Sequence, residues 1–120
     1  MDTHYQKLKV WQKSIDLIEQ IYVMVSKFPK TEVFSLVDQL KRSAVSIASN
    51  IAEWSQRWTK KENIHFLFIA KWSAAELETQ LIISERLHFI SKDDFDTIHD
   101  LILEVLKMLS SYISYHKTHS

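Results

Sequence analysis

Apolar and polar positions alternate with helical rather than strand period along almost the whole chain. Leu8, Trp11, Ile15, Ile18, Tyr22 and Val25 recur at spacings of 3-4-3-4-3, the seam made by one face of an α-helix. A second series, Val10, Leu17, Ile21, Met24 and Phe28, keeps the same period about 100° further round the helix. Phe28-Pro29 ends this helix, because proline disfavours helical geometry in the residue before it. Thr31 is the expected cap of a second helix, with the seam Val33, Val37, Leu40, Ala44, Ile47, Ile51 and Trp54. Thr59 and Glu62 read as a capping box for a third, their side chains satisfying each other's orphan backbone donors. That helix carries Leu67, Ala70, Ala74, Leu77 and Leu81 on one face and Ile64, Phe68, Trp72 and Ala75 on a neighbouring strip. Ser91 opens a fourth, with Phe95, Ile98, Ile102, Val105, Leu109 and Tyr112 in register, and the tail from His116 to Ser120 is expected to fray.

These runs predict helices at roughly 5–28, 32–56, 60–88 and 92–115 in a single domain spanning 1–120. Short connections make neighbouring helices antiparallel, so the expected fold is all-α, an up-down four-helix bundle roughly 35 Å long. Such a bundle needs one apolar stripe per helix, and the first and third carry two. The extra stripe is either the margin of a wide core stripe or a second face buried against another subunit.

Composition sharpens this picture. In 120 residues there is no glycine and one proline, so the punctuation of β-hairpins and tight loops is missing. Glycine-rich phosphate loops, dinucleotide fingerprints and glycine-flanked serine elbows are excluded with it. The absence of cysteine removes disulfides, thiol catalysis and cysteine-zinc sites. Lys and Arg number 15 and Asp and Glu 15, giving a formal net charge of zero, which argues against a strongly basic grip on nucleic acid but not against a local patch. No apolar run approaches the ~20 residues that span a bilayer, and the start MDTHYQK does not read as a signal peptide. A cytoplasmic protein without a membrane partner is the expectation.

Three blocks carry a resemblance. They are Leu8-Lys9-Val10-Trp11-Gln12-Lys13 with Ile21-Tyr22 and Phe28-Pro29; Gln39-Leu40-Lys41-Arg42-Ser43-Ala44-Val45-Ser46-Ile47-Ala48-Ser49-Asn50-Ile51-Ala52-Glu53; and Ala70-Lys71-Trp72-Ser73-Ala74-Ala75-Glu76-Leu77-Glu78-Thr79-Gln80-Leu81. In this order and spacing, from about residue 7 to 112, the chain resembles the four-helix-bundle proteins encoded in intervening sequences of bacterial 23S rRNA genes. The resemblance implies an up-down bundle that assembles as a homopentamer and has no known enzymatic activity. Accessory proteins of diversity-generating retroelements look similar and bind nucleic acid and a reverse transcriptase.

The departures from that pattern fall on its glycines. The family's Asn-Ile-Ala-Glu is followed by Gly-x-Gly-Arg, and here by Trp54-Ser55-Gln56-Arg57. Its Lys-Gly-Ser on the third helix is Lys71-Trp72-Ser73, and the glycine before the aromatic residue after that helix is His88. Glycine to tryptophan in a packed crossing overfills it, at a cost of about 1–3 kcal/mol. Either these sites are exposed or the packing around them has been rebuilt. Trp54, Trp58, Phe68 and Trp72 are therefore candidate interface residues, in a diverged family member or in an engineered variant given a Trp-rich surface for a new assembly or binding interface. Without a glycine stop after Glu53, the second helix can also run on toward Trp58 and, fused with the third, produce a swapped assembly.

Candidate chemistry is sparse. Glu62-x-x-His65 and Glu85-x-x-His88 match the spacing of di-iron bundles, but that site needs the motif on two helices, and both copies lie on one. Glu85, His88, Asp96 and His99 should meet at the turn between the third and fourth helices, as an incidental divalent-metal constellation or a solvated polar end. Ser43, Ser46 and Ser49 have no histidine or acidic partner at a motif spacing, and His116 and His119 sit in the expected fraying tail. For RNA, the candidates are Lys41, Arg42, Arg57, Lys60, Lys61 and Lys71, interleaved with tryptophans that would stack on bases. The same residues also read as a solvated helix face with pairs such as Glu53–Arg57. The expected function is a non-catalytic, self-assembling bundle with RNA as a candidate partner, and no cofactor or metal is implied.

Overall fold

Each apolar seam must find a surface that removes it from water, and four helices packed side by side supply one. A computed structural model describes residues 4–56 and 60–119, with the backbone alone at His4, 60–63 and His119. A 3-10 turn at His4–Lys7 precedes α1 (Lys9–Val25), and a second at Lys30–Glu32 precedes α2 (Leu36–Gln56). Helices α3 (Lys60–Arg86) and α4 (Lys92–His119) follow. Among the described residues there is no strand. Helix α1 packs on α2 and α4, and α3 packs on the same two; α2–α3 is the most extensive contact and α1–α4 the sparsest. No close backbone approach joins α1 to α3 among the described residues. No helix there is long and apolar enough to cross a membrane.

The core takes the expected seams of α2, α3 and α4 except for Val33, which is exposed and precedes α2. Leu40, Ile47 and Ile51 meet Leu67, Leu77 and Leu81 with Ile102, Val105 and Leu109, all buried. On α1 the two stripes are unequally buried. The second series, from Val10 to Phe28, is buried throughout, whereas in the first Val25 is buried, Trp11 and Ile18 are half-buried and Tyr22 is exposed. The first stripe leans toward α2, where the Lys41 ammonium sits 4.8 Å from the Tyr22 ring centre.

Helix ends depart from expectation in four places, each with a local cause. Helix α1 stops at Val25, before Pro29, with the Phe28 N–H donating to the Val25 carbonyl at 3.0 Å. Thr31 does not cap α2. It lies in the 3-10 turn held by Glu32 N–H to Pro29 O at 2.9 Å, and α2 begins at Leu36, with Ser35 hydrogen-bonded to the Glu32 carboxylate at 3.0 Å. Helix α3 ends at Arg86, and His88 takes φ 63. Phe89 N–H donates to Ser84 O at 2.9 Å and His88 N–H to Glu85 O at 3.0 Å, a Schellman closure with a histidine in the place that favours glycine. Helix α4 does not fray at His116 but continues to His119. At ~1.5 Å per residue its length accounts for a molecule 45 Å long rather than the shorter bundle expected. Ser91 does cap α4, accepting the Asp94 N–H at 3.1 Å. The Thr59–Glu62 box and the fusion of the second helix with the third fall outside the described residues.

Candidate functional site

Serines and an amide build the joint between α2 and α3. Small side chains let two helices approach closely, and their polar atoms must then find partners inside the contact. The Ser43 hydroxyl donates to Gln80 Oε1 at 2.7 Å, and the Ser46 and Ser73 hydroxyls share a hydrogen bond of 2.8 Å. Asn50 Nδ2 donates to the Ser46 carbonyl at 2.8 Å and its hydroxyl at 3.1 Å. A shallow cleft of about 320 Å³ opens over this ladder, bordered by Gln39, Arg42 and Glu76. Among the described residues neither Ser43 nor Ser46 bonds to a histidine or a carboxylate; Ser49 is exposed. The ladder holds two helices in register.

The basic candidates are spread along this pair of helices. Arg42 Nε binds the Asp38 carboxylate at 2.8 Å, and Lys41 is drawn over the Tyr22 ring. Lys71 is half-buried on α3, two residues from Ser73. Lys60 and Lys61 begin α3, and Arg57 lies outside the described residues. From Lys41 to the end of α2 at Gln56 the helix rises about 22 Å, so Lys41 and Arg42 stand far from the Lys60–Lys61 turn.

The apolar candidates divide. Trp54 is not part of a surface: it is 7% exposed, its ring 5.3 Å from that of Tyr112 and 5.4 Å from that of His116. The space that a glycine would leave beside α2 is filled from within by the chain's own α4. Trp58 is outside the described residues. Trp72 is 57% exposed, its ring 6.1 Å from that of half-buried Phe68, over which Lys117 Nζ sits at 5.2 Å. Further along α3, Ile82 and Ile83 are exposed as well, as is Leu87 just past its end. The sequence strip of Ile64, Phe68, Trp72 and Ala75 flagged the first half of this outer face. The second half was hidden because Ile82 and Ile83 are interrupted by Glu76 and Thr79.

The acidic and histidine candidates do not converge. Asp96 is held by Lys92 at 3.0 Å, and this hydrogen bond, with the carboxylate charge, raises the Lys92 pKa. His99 turns to Glu78 at 2.8 Å and stacks on Phe95, ring centres 5.0 Å apart. His88 is spent on the α3 terminus. No group of three or more His, Cys, Asp or Glu able to hold a metal ion forms among the described residues. His116, half-buried against Trp54, is likewise not the solvated tail residue expected.

Known proteins bear on the identity of this bundle. No curated protein matches the chain. Among solved structures, a protein of unknown function from the S23 ribosomal protein family of Bacteroides thetaiotaomicron VPI-5482 is similar, with 29% sequence identity and a TM-score of 0.79. The similarity covers 87% of this chain and 97% of that one. The family model described as 23S rRNA-intervening sequence protein matches residues 6–111, which takes in the helical seams as far as Leu109, the serine ladder and the Schellman turn, and the chain belongs to that family.

Proposed function

We propose that this protein is a non-catalytic, self-assembling unit, an up-down antiparallel bundle that works as a homopentamer. Pairs along the helices support the antiparallel course: Ser43 with Gln80 and Ser46 with Ser73 for α2 and α3, Glu78 with His99 and Phe68 with Lys117 for α3 and α4. One observation carries the assembly reading. Helix α3 buries a complete seam inside its own chain and still presents Trp72, Ile82 and Ile83 to solvent on other sides. A helix apolar on more than one side belongs between two packing partners. The number five comes from the family resemblance.

Native mass spectrometry across protein concentrations tests this reading. Five chains of 14.2 kDa give about 71 kDa for a closed cyclic assembly. A 14.2 kDa species at every concentration would refute self-assembly.

RNA association is a second reading, favoured by Trp72 standing exposed beside Lys71 on the helix that Lys60 and Lys61 begin. Stacking is worth about 1–3 kcal/mol per base and phosphate contacts are salt-dependent. RNA affinity should then fall steeply with salt and drop in a Lys71→Ala, Trp72→Ser double variant. Affinity unchanged by both would remove this reading.

A further inference from the structure

The serine ladder leaves hydrogen-bonding capacity on α3 unused. Ser43 donates to Gln80 Oε1 at 2.7 Å, which takes up the carbonyl end of the amide and leaves the Nε2 hydrogens as donors. They have no partner among the described residues. One turn earlier, Glu76 is exposed, and its carboxylate has no ion pair or hydrogen bond among the described residues. Side chains four apart on a helix are neighbours, with Cβ atoms about 5–6 Å apart. Gln80 and Glu76 therefore act as a unit, one donor group beside two acceptor oxygens. Both line the cleft of about 320 Å³ over Ser46 and Ser73, a volume within the range of about 300–1,000 Å³ usual for small-ligand sites. Arg42 of α2 lines the same cleft, tethered through Nε to Asp38 at 2.8 Å with its side chain largely exposed.

This pattern selects a ligand. The carboxylates of Glu76 and Asp38 disfavour a ligand held by phosphate alone, whereas the edge of a nucleobase is neutral. Guanine sets an acceptor, O6, beside two adjacent donors, N1–H and N2–H2. Adenine, cytosine and uracil each present a single donor group on that edge. Gln80 Nε2 meets O6, and the two Glu76 oxygens meet N1–H and N2–H2. The tethered Arg42 guanidinium offers a plane on which the ring stacks, as arginine does with unpaired bases.

We infer that the α2–α3 cleft binds a guanine base, read by Glu76 and Gln80 and stacked on Arg42. This does not depend on self-assembly. The experiment is calorimetric titration of the full chain with GMP, IMP and AMP, and with the short RNAs UUGUU and UUAUU. GMP should bind at least tenfold more tightly than AMP, and IMP, which lacks the 2-amino group, should fall between them. Glu76→Gln, at an exposed position that the fold tolerates, should abolish the GMP-to-AMP ratio with helix content unchanged by circular dichroism. Preference in both GMP and RNA supports the base itself as ligand; preference in RNA alone supports a guanine within a single strand. No binding of any guanine probe, equal binding of guanine and adenine probes, or a preference that survives Glu76→Gln overturns the site. RNA binding without guanine preference overturns it while leaving the Lys71–Trp72 reading of RNA association standing.

Discussion

The indole of Trp54 and the ring of Tyr112 lie 5.3 Å apart at 58°, joining α2 to α4 across the bundle, with His116 edge-on to the same indole at 5.4 Å. This contact explains why α4 runs on past the point where its sequence looks ready to fray. Tyr112 and His116 are one turn apart on the face that Trp54 covers, and Ile113 beside them is buried. Burial of a large side chain anchors the last turns of a helix whose own propensity would not hold them.

Trp54→Ala should therefore destabilise the fold by about 3 kcal/mol, the lower end of the usual cost of truncating a buried aromatic residue. The loss should be localised as well as global. Amide exchange in the turns around Tyr112 to Lys117 should accelerate more than in the rest of α4. Denaturant unfolding and hydrogen exchange read the two effects separately, and a stability change of only a few tenths of a kcal/mol would mean that Trp54 is not an anchor.

His88 presents the opposite case, a side chain where none is wanted. Its φ of 63 closes the α3 terminus, and an L-residue in the left-handed region costs about 1–2 kcal/mol. Glycine there removes the clash but gives up some unfolded-state entropy. His88→Gly is expected to stabilise the protein by about 0.5–1 kcal/mol, seen as a raised denaturation midpoint with unchanged slope. A destabilised variant would show that the imidazole makes a contact worth more than the backbone strain.

These two sites mark how far the sequence alone could be read. The helical period, the seams of α2, α3 and α4 and the Ser91 cap were legible because each is set by residues close in sequence. The ranking of the two α1 stripes was not, since it depends on which neighbour each stripe faces, and both are equally periodic. Trp54 and Trp72 looked alike as large residues in family glycine positions. Only the reach of α4 separates one as interior from the other as surface. Thr31 misled for a related reason: a threonine after proline satisfies the cap pattern, but the chain first makes the Lys30–Glu32 turn and starts α2 a full turn later. Among the candidate residues the basic set was visible in the sequence, whereas the pairing of Ser43 with Gln80 and of Ser46 with Ser73 has no sequence signal because it joins distant segments.

The serine ladder predicts coupling between residues 27 apart in sequence. Ser73 is buried and shares its bond with Ser46, so Ser73→Ala should cost about 1 kcal/mol, the net worth of a typical hydrogen bond. Ser46→Ala strands the Ser73 hydroxyl and also removes an acceptor of Asn50, so it should cost somewhat more. Once one partner is gone, removing the other should add little. A double-mutant cycle should give a coupling energy of about 0.5–1 kcal/mol, and strict additivity would mean the two hydroxyls do not pair in solution.

Exposure by itself does not mark an interface, and two aromatic residues allow the distinction to be measured. Phe34 is 96% exposed in the connection before α2, with Val33 its exposed apolar neighbour, whereas Trp72 belongs to a strip continuing along α3. Scattered apolar residues are ordinary on protein surfaces; contiguous ones are not. Phe34→Ser and Trp72→Ser should each leave unfolding stability of the single chain within about 0.5 kcal/mol of wild type, as surface substitutions usually do. Their effects on assembly should part company. Phe34→Ser should keep the wild-type native mass at all concentrations, while Trp72→Ser should shift dissociation to at least tenfold higher protein concentration, the equivalent of ~1.4 kcal/mol of lost contact. If both variants assembled alike, the outer face of α3 would not be what holds the copies together; if Phe34→Ser alone dissociated, the contact would lie at the α1–α2 end of the bundle.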